Sequence, residues 1–125
     1  MSSGLGSLRQ IALGVDDLDR AVAFYRDVLG LTPIARFGGL AFFDLAGVRL
    51  LLETGAGRSV LYLAVDDVHA TRDELAARGV EFLDDPHVIF TDAEGTFGLA
   101  GEAEWMTFFH DSEGNTLALS SREAP

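Results

Sequence analysis

The sequence predicts an α+β protein built from two βαβββ modules in tandem, which together form one cupped mixed sheet. Three observations carry that expectation. The stretch Ile11-Ala-Leu-Gly-Val-Asp-Asp-Leu18 returns as Leu61-Tyr-Leu-Ala-Val-Asp-Asp-Val68. The module ends also echo: Phe42-Phe43-Asp44, Gly47 and Leu50-Leu51-Leu52 match Phe108-Phe109-His110, Gly114 and Leu117-Ala118-Leu119. Within each copy the apolar period switches from two to helical spacing directly after the Asp-Asp pair. A duplicated unit places the expected site between its copies.

The first module starts with a strand over Arg9 to Val15, where Ile11, Leu13 and Val15 share one face and Gln10, Ala12 and Gly14 the other. Asp16 or Asp17 caps the helix that follows. Leu18, Ala21/Val22, Tyr25 and Val28/Leu29 recur at helical spacing until Gly30 supplies a left-handed stop. Strands then follow at Thr32 to Phe37, Leu40 to Leu45 and Val48 to Glu53, separated by Gly38-Gly39 and Ala46-Gly47 turns. Residues 1–7 are Gly/Ser-rich and read as a flexible N-terminus, so the first module spans 8–57.

The second module, 58–121, opens with a strand over Ser59 to Val65 and a helix from Val68 to Arg78 stopped by Gly79. Its next strand lies at Val80 to Leu83 or at Val88 to Phe90; the last two lie at Glu104 to His110 and Asn115 to Ser120. Residues 122–125 read as a C-terminal tail. Between Phe82 and Trp105 this copy carries a longer, glycine-containing connection, either a lid or a tolerated surface insertion.

Composition excludes several functions. Nine basic against twenty acidic residues give a formal charge of −11, which opposes nucleic acid and anionic membrane surfaces. No cysteine means no disulfide, thiolate metal site or thiol nucleophile. No apolar run reaches membrane-spanning length and no signal peptide is evident, so the expected location is cytoplasmic. Gly-x-Ser-x-Gly, Gly-x-Gly-x-x-Gly and Walker patterns are missing from the sequence.

The run Val15-Asp-Asp-Leu-Asp-Arg-Ala21, then Phe24-Tyr-Arg-Asp-Val-Leu-Gly-Leu31, resembles the opening of the vicinal oxygen chelate superfamily, which includes glyoxalase I, extradiol dioxygenases and bleomycin-resistance proteins. Phe109-His-Asp-Ser-Glu-Gly-Asn115 resembles its FxDPxGN turn, with Ser112 where proline is common. The resemblance covers residues 8 to 121 and implies the glyoxalase/bleomycin resistance fold and a homodimer. It also implies a divalent metal held by His, Gln or Glu on the first and last strands of each module. The matching positions here are Gln10, Leu51, Val60 and Ala118, of which only Gln10 offers a lone pair. A slip of two residues would offer Glu53, still short of a usual ligand set.

With the metal positions facing inward, period two puts Gln10, Ala12, Gly14, Arg49, Leu51, Glu53, Val60, Tyr62, Ala64, Thr116, Ala118 and Ser120 on one face. The opposite face, from Ile11 and Leu13 to Leu117 and Leu119, is uniformly apolar and suits a roof of helices. The expected ligand-binding residues are Gln10, Arg49, Leu51, Val60, Tyr62, Trp105 and Ala118, with no metal and no cofactor. Which member of Phe42/Phe43 and of Phe108/Phe109 faces inward stays open. The favoured function is a metal-free small-molecule-binding protein that holds an apolar or aromatic ligand. The alternative is a lyase, isomerase or dioxygenase using a displaced site such as His87, Glu104 and Gln10, or acid/base chemistry by Glu53, His87, Tyr62 or Glu104.

Overall fold

The computed structural model describes residues 8–124 of the chain. They divide into two compact units, up to Ser59 and from Val60. The expected flexible segment 1–7 lies outside the described residues.

The first unit contains β1 (Gln10–Val15), α1 (Leu18–Ala23), β2 (Thr32–Phe37), β3 (Leu40–Leu45) and β4 (Val48–Thr54). Its four strands run in the order β1-β4-β3-β2, with β1 parallel to β4 and the other pairs antiparallel. Asp17 caps α1 by accepting the Arg20 N–H at 3.1 Å. The helix then widens into a π-helical segment over Phe24–Val28, and the left-handed Gly30 lets the Leu31 N–H donate back to the Tyr25 carbonyl. α1 packs on β4 and β3. Leu13, Val15, Leu50, Leu52 and Phe43 are accordingly buried, with the Tyr25 and Phe43 rings 6.1 Å apart.

The second unit repeats the design with β5 (Val60–Ala64), α2 (Val68–Ala77), β6 (His87–Asp92), β7 (Glu102–His110) and β8 (Thr116–Glu123) in the order β5-β8-β7-β6. Asp67 caps α2 through the N–H groups of His69 and Ala70, so the repeated Asp pairs do serve helix starts. α2 covers β8 and β7, burying Leu117, Leu119, Thr107 and Phe109 beneath Val68 and Leu75. Both units are therefore βαβββ modules of an α+β fold, as the repeat requires.

One open alternative is resolved and one expectation is corrected. Of the two places expected for the second strand of this module, 87–92 forms it; the earlier stretch makes only the Phe82–Phe109 bridge. It is stitched to β7 by Asp84, which accepts from the Thr107 hydroxyl and the Phe108 N–H. The last strand runs past Ser120, and Arg122 and Glu123, expected in a tail, pair in register with Glu104 and Ala103. Arg122 binds three carboxylates there, which fixes the strand end.

Candidate functional site

Each sheet has one face under its helix and one open face, and strand register decides which residues share the open one. In the first unit the in-register rows are Gln10, Arg49 and Asp44, then Ala12, Leu51 and Phe42, then Gly14, Glu53 and Leu40. In the second they are Val60, Thr116 and His110, then Tyr62, Ala118 and Phe108, then Ala64, Ser120 and Met106. Six of the seven residues expected to bind ligand thus lie on open faces. The paired phenylalanines split: Phe42 and Phe108 stand on open faces, while Phe43 and Phe109 are buried under the helices.

Trp105 is the exception and a correction. It shares the parity of Thr107 and Phe109 on β7 and faces α2, with its ring 4.9 Å from that of His69. His69 in turn reaches the Glu123 carboxylate at 3.1 Å. Trp105 thus belongs to the contact between helix and sheet.

On the first open face the Arg49 Nε–H donates to the Gln10 side-chain oxygen at 3.1 Å. Its row neighbour Asp44 accepts the Gly47 N–H at the β3–β4 turn. On the second face the rings of Tyr62 and Phe108 meet edge to face, 6.3 Å apart, from the strands on either side of Ala118. Ala118 is fully buried although Tyr62 is 61% exposed, as expected if the two rings close over its methyl.

These contacts test the metal the resemblance implies. The Gln10 oxygen already accepts from a cation, Leu51 and Ala118 are buried without donor atoms, and Val60 has none to offer. The residues do not fit a divalent ion. The displaced set fares no better within its unit: Glu104 pairs with Phe90 and accepts from Arg122, whereas His87 pairs with Met106 and its Nδ1 lies 2.9 Å from the Asp85 carbonyl. Among the described residues no group of three or more His, Asp or Glu side chains is disposed to hold a metal.

One cluster escaped sequence reasoning. Arg122 reaches Asp92 at 2.8 Å, Glu102 at 3.0 Å and Glu104 at 3.2 Å. The hydrogen bonds and charges of these carboxylates, Glu102 foremost, hold its guanidinium far above the ordinary range despite partial desolvation. Burial alone would push the Asp92 carboxyl up. The Phe97 N–H, the Arg122 guanidinium and the Thr96 N–H outweigh it and hold that carboxyl below the usual range. Asp92 thereby cinches the 93–101 connection, whose Gly95 and Gly101 N–H groups also return to its carbonyl. The long connection is thus a tied loop that presents Phe97 and Leu99, each 73% exposed. The sequence signal for Arg122 was the continuation of period two through Ala118 and Ser120.

A groove of about 320 Å³ lies elsewhere on the first unit, lined in part by Val22, Pro33, Ile34 and Phe43. Its Arg26 and Arg36 are paired with Asp27 and Asp19, so it presents no unneutralised charge. No helix among the described residues is long and apolar enough to cross a membrane.

Comparison with known proteins agrees with the architecture. A curated relative, a glyoxylase-like domain-containing protein of Didymella fabae, is 27% identical over 131 residues, covering 94% of each chain. Among solved structures, lactoylglutathione lyase from Agrobacterium tumefaciens superposes with a TM-score of 0.73 at 22% identity, covering 95% of this chain and 96% of that one. A glyoxalase/bleomycin resistance protein/dioxygenase from Nocardioides gives 0.75 at 21% identity, over 96% and 85%. At these identities the structures speak for the fold alone. Residues 11–45 match the bleomycin resistance protein-like N-terminal family. Residues 46–119, more than half of the sequence, match a second family model, and the chain belongs to the Glyoxalase/Bleomycin resistance protein/Dioxygenase superfamily.

Proposed function

We propose that this protein binds a small apolar or aromatic molecule on its open sheet faces and does so without a metal ion. The observation that carries the reading is the content of the four positions where the superfamily resemblance implies metal ligands. Three are Leu51, Val60 and Ala118, and the fourth, Gln10, is already engaged by Arg49. What surrounds them suits a ligand with an apolar body: Phe42 and Leu51 on one face, Tyr62, Phe108 and Met106 on the other. The bleomycin-resistance type of protein, which holds its ligand without turnover, is the nearest functional class.

An enzyme reading would need a general acid or base on these faces. Glu104 is committed to Arg122 and His87 contacts the Asp85 carbonyl, so neither supports it, which leaves Glu53 and Tyr62 on the open faces as the groups that reading would have to use. The reading extends to a homodimer, because β2 and β6 stand at sheet edges where backbone groups can pair with a second chain. Sedimentation as a monomer at micromolar concentration would remove that part.

The test of the metal-free state is elemental analysis of the purified protein before and after incubation with zinc, nickel, manganese and iron(II), followed by desalting. Substoichiometric metal in every case is the expected result. One tightly held equivalent per chain overturns the reading.

A further inference from the structure

The first unit's open face carries a charge that no carboxylate among the described residues neutralises. Among the described residues, Arg26, Arg36, Arg58, Arg72 and Arg122 each lie within 4.0 Å of a carboxylate. Arg49 has no carboxylate that close among the described residues, although the sequence holds twenty acidic side chains. The carboxylate that register sets beside it, Asp44, accepts the Gly47 N–H instead. The one hydrogen bond of the Arg49 side chain runs from Nε to the neutral Gln10 amide oxygen. That bond orients the guanidinium without discharging it, and it turns Gln10 into a donor through its amide nitrogen. The terminal guanidinium nitrogens and the Gln10 amide nitrogen have no acceptor among the described residues.

We propose that Gln10 and Arg49 form an anion-anchoring pair that takes the carboxylate of a ligand whose aromatic or aliphatic body lies along Leu51 and Phe42. The next row of the same face is Ala12, Leu51 and Phe42, so an apolar surface begins one residue pair away from the donors. A guanidinium presents parallel N–H groups in a planar fork that matches a carboxylate at two points, and the adjacent amide adds a third donor. The pair supplies fixed positive charge at the position where the resemblance implies a metal ligand. This inference rests on the ligand-binding reading and gives that ligand its chemical class.

The test uses three naphthalene probes of one shape and different charge: 2-naphthoate, 2-naphthalenemethanol and 2-naphthylmethylammonium. Each is titrated into the full ¹⁵N-labelled chain and into Arg49→Met, Arg49→Lys and Gln10→Leu, with dispersed amide spectra as the control for folding. Naphthoate should bind at least tenfold tighter than the alcohol, moving the Arg49 Nε–H and Gln10 side-chain amide resonances. R49M should abolish that preference, bringing the naphthoate and alcohol affinities within twofold of each other, and R49K should restore part of it as a point charge. If naphthoate and alcohol bind equally to the native chain, or the ammonium binds tightest, the anion pair is refuted while ligand binding survives. If none of the three binds, both readings fall.

Discussion

Phe108 and Phe109 are adjacent, chemically identical and assigned opposite roles, which makes their alanine variants a sharp test of the face assignment. Phe109 is fully buried under α2, with its ring 5.1 Å from that of Phe82. Removing such a ring leaves a cavity and costs about 3–5 kcal/mol. Phe108 is half-buried on the open face, and its closest aromatic partner is Tyr62. Loss of that edge-to-face pair and of part of the ring's burial amounts to about 1–2 kcal/mol. The expected gap is therefore roughly 2 kcal/mol, which at a urea m-value of about 1.5 kcal/mol/M separates the two midpoints by more than about 1 M. Because F109A removes a large share of a typical stability of about 5–15 kcal/mol, Phe109→Leu provides a milder version of the same comparison. Coincident midpoints, or a costlier change at Phe108, would refute the assignment of the open face and with it the location of the site.

Other outcomes follow from single contacts. Gly14→Ala would drive a Cβ into the Ala56 carbonyl oxygen; chemical denaturation should show a loss of about 1–3 kcal/mol, and a loss below about 0.5 kcal/mol would contradict the close approach. Ser112→Pro should stabilise by about 0.4–1 kcal/mol, since the buried Ser112 hydroxyl has no partner and proline restricts the unfolded chain; a lower melting temperature would count against it. Asp92→Asn should speed hydrogen exchange at Thr96 and Phe97 and expose the 93–101 loop to protease, whereas an unchanged cleavage rate would mean that the carboxylate does not tie the loop. Because the folded Asp92 carboxyl lies below its ordinary value, its contribution is present above about pH 4 and fades only as pH falls through the lower folded value, so loop protection should be flat from pH 5 to 8.

The repeat and its period made the fold readable, because both signals are local and each copy checks the other. Parity from Gln10 through Val15 and from Thr116 through Ser120 assigned the open faces of four strands, and register bears this out. Parity on β7 was readable only in its first half, and the expected strand began at Glu104, inside that half. Glu102-Ala-Glu-Trp105 alternates, but from Met106 through Phe109 the pattern breaks, with Met106 and Phe108 apolar on one face, Phe109 apolar on the other and the polar Thr107 on the side that meets the helix. The β6–β7 pairing is also irregular between Val88 and Phe90. Trp105 was misplaced for that reason. Arg122 was missed because its partners lie 18 to 30 residues away in sequence and nothing local announces them. Nor could sequence disclose that Arg49 turns to Gln10 rather than to Asp44, since a hydrogen-bond choice between adjacent groups is settled by turn geometry.

The chain's net charge and the charge at its site pull in opposite directions, and distance decides between them. The formal −11 is spread over the whole surface and favours cations at long range. At 0.15 M ionic strength the Debye length is about 8 Å, so acidic groups farther than that from a bound ligand contribute little. A guanidinium in contact with a carboxylate is worth about 1 kcal/mol in water and several times that where the surroundings are less polarisable. The local contact therefore outweighs the distant field, and an anion is the better occupant of the Gln10–Arg49 pair. The opposition has its own signature: salt screens the long-range repulsion more effectively than the short contact, so naphthoate affinity should change less than threefold between 50 and 300 mM NaCl. A steep loss of affinity over that range would mean that the guanidinium meets the ligand through solvent and that no apolar surface shelters the pair.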